Sequence, residues 1–183
     1  MTAKQPRTEF DERYSSAQNQ LPGAENAGAT DWAEAQRQLE EAEIFQLSTV
    51  RPDGRLHITP LIAAWDASAG LLYFSTGPAE QKAKNLARDR HCALTTGGSS
   101  LTSGRDIVVE GTAEQITDPA AVEQAITRHE AKYGAHMTSP EGTFHGMGDA
   151  IRKGEVLVFA VTPHTAYAFG RENGVYSHTR YTF

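Results

Sequence analysis

From Thr30 onward, apolar positions first recur at helical spacing: Trp32, Ala35, Leu39 and Ala42 lie three or four residues apart. A first helix near 31–43 follows, opened by Asp31 with Glu34 three residues on as a capping pair. The period then falls towards two. IFQLSTV (44–50) meets the turn Pro52-Asp53-Gly54 and RLHITPLIAAW (55–65) leaves it, which predicts a hairpin. Pro60 has no N–H for a ladder, so it marks an edge, a bulge or the approach of a ligand. DASAG (66–70) is a second turn and LLYFST (71–76) a third strand.

A helix is expected over about 78–90, with Ala79, Ala83, Leu86 and Ala87 as its buried stripe. CALTTG (92–97) reads as a strand that runs out into the small, polar loop GGSSLTSG. DIVVEGTAEQI (106–116) is another strand, interrupted by Gly111. Asp118-Pro119 starts a helix with proline at its first position, carrying Val122, Ala125, Ile126 and His129 on one side and ending near Gly134. Residues 135–154 show no period and read as irregular. EVLVFAVTP and TAYAFG supply two closing strands before the tail RENGVYSHTRYTF.

These elements predict a mainly β chain with accessory α: six or seven antiparallel strands in consecutive hairpins, and about three helices. A twisted sheet of that size curls or closes, which argues for a small barrel. The helices do not alternate regularly with the strands, which argues against a doubly wound parallel sheet. Residues 1–30 are rich in Gln, Asn, Gly, Ala and charge and show no period. They read as an extended N-terminal arm, partly disordered or laid over a partner subunit, with the domain proper at 31–183.

Composition narrows the function. With 183 residues, 39% apolar, the chain fits one domain with a proper core. A net charge of -6 argues against general nucleic-acid or anionic-membrane binding, which needs a basic face. No apolar run approaches the roughly 18 residues of a membrane span. The first residues lack an apolar signal core, so a cytoplasmic location is expected. Cys92, the single cysteine, forms no internal disulfide and supplies no metal cluster; its apolar strand suits a small core residue.

Candidate chemistry centres on YFSTGPAEQKAKNLARD (73–89). A strand, a glycine turn and a helix start together expose backbone N–H groups suited to an anion. Ser75 and Thr76 add hydroxyls, Lys82 and Lys84 fall about 100° to either side of Ala83, and Asn85 can cap a polar edge. From spacing alone, an ordinary surface helix with solvated lysines explains the pattern equally well. Other signals carry less. His129 and His136 are seven apart, whereas a zinc-binding helix needs four, so His129 reads as a surface or packing residue. In HGMGDAI, Ile151 stands where a dinucleotide loop needs its third glycine. GGSSLTSG is no nucleophile elbow, and the run Glu40-Glu41-Glu43 reads as a solvated helix end.

The ordered series STVRPDGRLHITPLI, LLYFSTGPAEQKAKNLARD and DIVVEGTAEQITDP, with AITRHEAKYG and the ending SHTRYTF, resembles the pyridoxamine 5'-phosphate oxidase-like split-barrel superfamily. Within it the chain is most similar to actinobacterial flavin/deazaflavin oxidoreductases, over residues 31–183. The resemblance implies a homodimeric split barrel with the deazaflavin F-420 or FMN at the dimer interface. By position, Thr59, Pro60 and Leu61 would face the ring. Ser75, Thr76, Lys82, Lys84 and Asn85 would hold the phosphoribityl part, and Tyr176 and Arg180 would contact cofactor or substrate.

There are departures: Gln81 stands where arginine or serine is common, and His178 and Tyr181 replace an amide and an indole. The substrate-binding arginines and histidine of true pyridoxamine phosphate oxidases have no match, so vitamin B6 synthesis is disfavoured. The cofactor supplies the chemistry in such enzymes, which accounts for a chain with no catalytic triad. The expectation is hydride transfer between F-420 and an unsaturated or quinone-like small molecule. Lys82, Lys84, Arg88 and Arg90 offer a basic lip for the polyglutamate tail. An FMN enzyme of the same fold, or a module that holds flavin, haem or tetrapyrrole without turnover, are the alternatives.

Overall fold

Alternation along 45–50 sends Phe45, Leu47 and Thr49 inward, and the same period builds most of the molecule. The computed structural model describes residues 5–15, 27–98, 100–172 and 175–183. Its strands are β1 (Arg7–Phe10), β2 (Phe45–Val50), β3 (Leu56–Leu61), β4 (Ala63–Asp66), β5 (Leu71–Thr76), β6 (His91–Thr96), β7 (Gly104–Gln115), β8 (Leu157–Glu172) and β9 (Val175–Thr182). The helices are α1 (Trp32–Glu41), α2 (Gln81–Leu86), α3 (Pro119–Tyr133), α4 (Ala135–Thr138) and α5 (Met147–Arg152).

Every pairing is antiparallel, in the order β1-β9-β8-β7-β6-β2-β3, with β5 also beside β8 and β4 beside β5. The sheet curls around its core but does not close, since β1 and β3 lie at opposite ends of the path. Among the described residues nine strands replace the six or seven expected. The hairpin strand breaks at Ile62 into β3 and β4, and the tail becomes β9, which β1 of the arm joins as an outer strand. The two closing segments are one strand, β8. Its proline, Pro163, faces Gly111 at a bulge where the register of β7 shifts between Glu110 and Gly111. A Cβ at Gly111 would lie 2.3 Å from the Thr162 carbonyl oxygen, so this glycine marks close backbone approach rather than a strand end.

The core joins Phe45, Leu47, Leu72, Phe74, Leu94, Ile107, Val109 and Val161 to Trp32, Ala35 and Leu39 of α1. On the other side Ala125 and Ile126 of α3 pack on Tyr73, Ile151 and Val158. Three local expectations change. The Asp31 side chain makes no cap bond, and Glu34 pairs with Arg105 at 3.2 Å rather than completing a capping pair. Residues 135–154 are not irregular but contain α4 and α5. The quoted helix begins at Gln81, not Pro78, so Ala79 and Ala87 are exposed and only Ala83 and Leu86 of the predicted stripe are buried.

Candidate functional site

The pleat of β5 turns Ser75 and Thr76 to opposite faces. Ser75 Oγ donates to Met147 Sδ at 3.3 Å, whereas Thr76 is buried beside the start of α2. In the following turn the Gly77 N–H donates to Glu80 Oε1 at 2.8 Å, and the Lys82 Nζ donates to Glu80 Oε2. Lys82 is 7% exposed; Lys84, one turn-face away, is exposed. The Lys82 bond, then the Gly77 N–H, the Lys82 charge and the Thr76 hydroxyl hold the Glu80 carboxyl below its usual range against partial burial. Donors from the turn and from α2 thus meet at one carboxylate.

Beneath them lies a second polar layer. Asn85 is fully buried; its Nδ2 donates to Thr49 Oγ1 at 2.9 Å and its Oδ1 accepts from Gln81 Nε2 at 2.8 Å. The Thr49 hydroxyl faces the His57 carbonyl across β2 and β3 at 3.4 Å. Arg51 Nη2 donates to His57 Nδ1 at 3.1 Å. Burial, then the charges of Arg51 and Lys82, hold the His57 imidazole below the ordinary histidine value, which keeps it neutral at pH 7. Arg88 Nη1 donates to the Pro52 carbonyl at 2.9 Å, tying the end of α2 to the β2–β3 turn. Sequence reasoning missed Thr49, Arg51, His57 and Glu80. Thr49 left a signal, a polar residue at an inward position of an alternating strand. Glu80 left none, being a surface acid until its side chain folds back.

The remaining predicted residues lie on other surfaces. On β3, the terminal strand of the path, Leu56 (66% exposed) and Ile58 (58%) share the open face with Pro60, while Thr59 and Leu61 are half-buried on the other. Pro60 therefore marks a sheet edge. Tyr176, opposite Arg171 of β8, and Arg180, between Glu9 of β1 and Tyr167 of β8, stand on the outer face of β9, away from α2. Tyr176 lines a cavity of about 430 Å³ with Tyr14, Phe169 and His178, and donates weakly to the Leu101 carbonyl at 3.5 Å. A mainly apolar cavity of about 870 Å³ lies between α1, β4 and α3, lined by Ile44, Ile62, Trp65, Tyr133 and Phe144. Lys132 also lines it, donating to the Leu39 and Ala63 carbonyls at 3.0 and 2.9 Å, and burial brings its pKa down to about 8.

Among the described residues no cluster of His, Cys, Asp or Glu is placed to hold a metal, and no helix is long and apolar enough to cross a membrane. His129 is a packing residue, fully buried on α3. Cys92 is buried and its thiol is pushed up to about 12, which leaves it unreactive.

An open, curled antiparallel sheet with few helices and a buried lysine at a strand–turn–helix junction defines a chain of the split-barrel class. The chain belongs to the pyridoxamine 5'-phosphate oxidase family, whose sequence profile matches residues 32–170. A conserved hypothetical protein of Mycobacterium tuberculosis superposes with a TM-score of 0.65 at 21% identity, over 77% of this chain and 85% of that one. A haem-binding protein of Mycobacterium smegmatis gives 0.60 at 13%, over 81% and 57%. An F-420 reductase gives 0.52 at 20%, over 72% and 94%. At these identities the likeness is one of fold. Among curated protein sequences none matches this chain.

Proposed function

We propose that this chain is an oxidoreductase that binds F-420 and transfers hydride between it and an unsaturated or quinone-like small molecule. The observation that carries the reading is the meeting of the Gly77 N–H and the Lys82 ammonium on one carboxylate, beside the buried Thr76. Donors that converge on a carboxylate also suit a phosphate oxygen. Asn85, locked between Gln81 and Thr49, fixes the helix turn that carries Lys82. Lys84 and Arg88 add positive charge along the same segment, whereas Ser75 lies on the other face of β5.

A bound deazaflavin supplies hydride chemistry; the protein's part is to hold, orient and shield. Thr59 and Leu61 on the inner face of β3 form the wall for the ring. Leu61 leads directly into Ile62, and the cavity it lines with Trp65, Tyr133 and Phe144 suits an apolar substrate. The open face of Leu56, Ile58 and Pro60 is the surface for a second copy, which completes the ring site. Tyr176 and Arg180 then belong to the outer rim. FMN on the same donors is the second reading, favoured by the family the chain belongs to.

The test is titration of the purified protein with F-420 and with FMN, followed by mixing the reduced complex with a quinone. F-420 should bind the tighter, and its 420 nm absorbance should return on addition of quinone. Tighter FMN binding would move the assignment to the flavin. Binding of neither, with a haem band on adding haem, would contradict the oxidoreductase reading.

A further inference from the structure

Glu80 has a place in the cleft that the cofactor reading leaves unexplained. Its side chain is 51% exposed while that of its partner Lys82 is 9% exposed. The acid sits at the mouth and the amine at the bottom. The two are separated by two positions, which do not face each other along a helix. They meet because Glu80 precedes α2 in an extended conformation, φ -71° and ψ 151°, and its side chain folds back over the Gly77 N–H. A buried ammonium without a counter-charge is costly, so some anion must accompany Lys82 whether or not a ligand is bound. Glu80 can swing into solvent without leaving a buried polar group of its own behind. Lys82 cannot.

We infer that Glu80 is a resident counter-anion: it occupies the place of a ligand's phosphate, keeps the cleft formed when no ligand is bound, and is displaced on binding. This rests on the cofactor reading above and adds a residue that sets affinity. A ligand must displace Glu80 from Lys82 and Gly77 before it gains those donors, so the acid lowers the affinity of every anion that binds here. Removing the acid should tighten binding, although the acid is itself in contact with the site.

The experiment titrates the full chain and its Glu80→Gln and Glu80→Ala variants with FMN and with riboflavin, which lacks the phosphate, and adds inorganic phosphate as competitor. Both variants should bind FMN about fivefold tighter, the ratio that breaking one half-exposed ion pair costs. Riboflavin affinity should not change, and phosphate should compete at lower concentration. Equal or weaker FMN binding in both variants, with wild type still preferring FMN to riboflavin, would overturn the resident anion and spare the cofactor site. Wild type that binds FMN no better than riboflavin, or binds neither, would overturn both.

Discussion

At the scale of single residues, the chain's buried polar groups divide into those that are satisfied and those that are waiting. Asp66 is satisfied: its carboxylate accepts from Ser68 N and Oγ, Ala69 N, Gln124 Nε2 and Arg128 Nε, which pins the turn after β4 to α3. His129 is not. Its Nδ1–H donates to the Ala125 carbonyl at 2.8 Å, but its Nε2 is buried without a partner among the described residues. Burial holds its pKa below the ordinary value of about 6.5. As pH falls below that value the unfolded chain takes up a proton that the folded chain resists. The stability His129 contributes is therefore complete above pH 6.5 and lost on acidification. Melting temperatures measured from pH 7.5 down to 5 should fall, and His129→Phe should flatten that slope. An unchanged slope in the variant would show that other groups govern it. None of this could be read from HEAKYGAH, because spacing excludes a metal but does not report burial.

At the scale of elements, legibility followed the strength of the local period. The β2–β3 hairpin and α3 stand close to where apolar spacing and turn residues put them. β9 was hidden because its inward positions include Ser177 and Thr179, so the strand lacks an apolar alternation. β8 was cut in two at Pro163, where the proline is tolerated by the bulge opposite Gly111. The short α2 was lengthened because Pro78 looks like a first helical residue, whereas the Glu80 carboxylate on Gly77 holds residues 77–80 in a turn. The edge strand β3 makes its own prediction. An edge exposing Leu56 and Ile58 invites association. Sedimentation should give a dimer for the wild type and a monomer for Ile58→Glu. The substitution lies on an exposed position, so its effect on monomer stability should stay within about 0.5 kcal/mol. A monomeric wild type, or a variant that still dimerises, would remove this face from the assembly.

At the scale of the whole molecule, the open sheet brings α2, the β2–β3 hairpin and the end of β5 to one corner, and leaves β9 with Tyr176 and Arg180 at another. In a single chain the residues expected to grip one cofactor therefore form two groups. Thr76, Lys82 and Asn85 gather with the unanticipated Thr49, His57 and Glu80; the β9 residues stand apart. Sequence order revealed the junction, but which lysine turns inward depended on tertiary packing: Lys82 is enclosed by its neighbours and Lys84 is not. The central claim is that Lys82 at this corner recognises phosphate. It is tested most directly by isothermal titration of wild type and Lys82→Ala with FMN and riboflavin. The account predicts that wild type prefers FMN and that the variant loses most of that preference, a change of roughly 1.5–3 kcal/mol for one charge-assisted bond. An FMN preference that survives the substitution undiminished would contradict it.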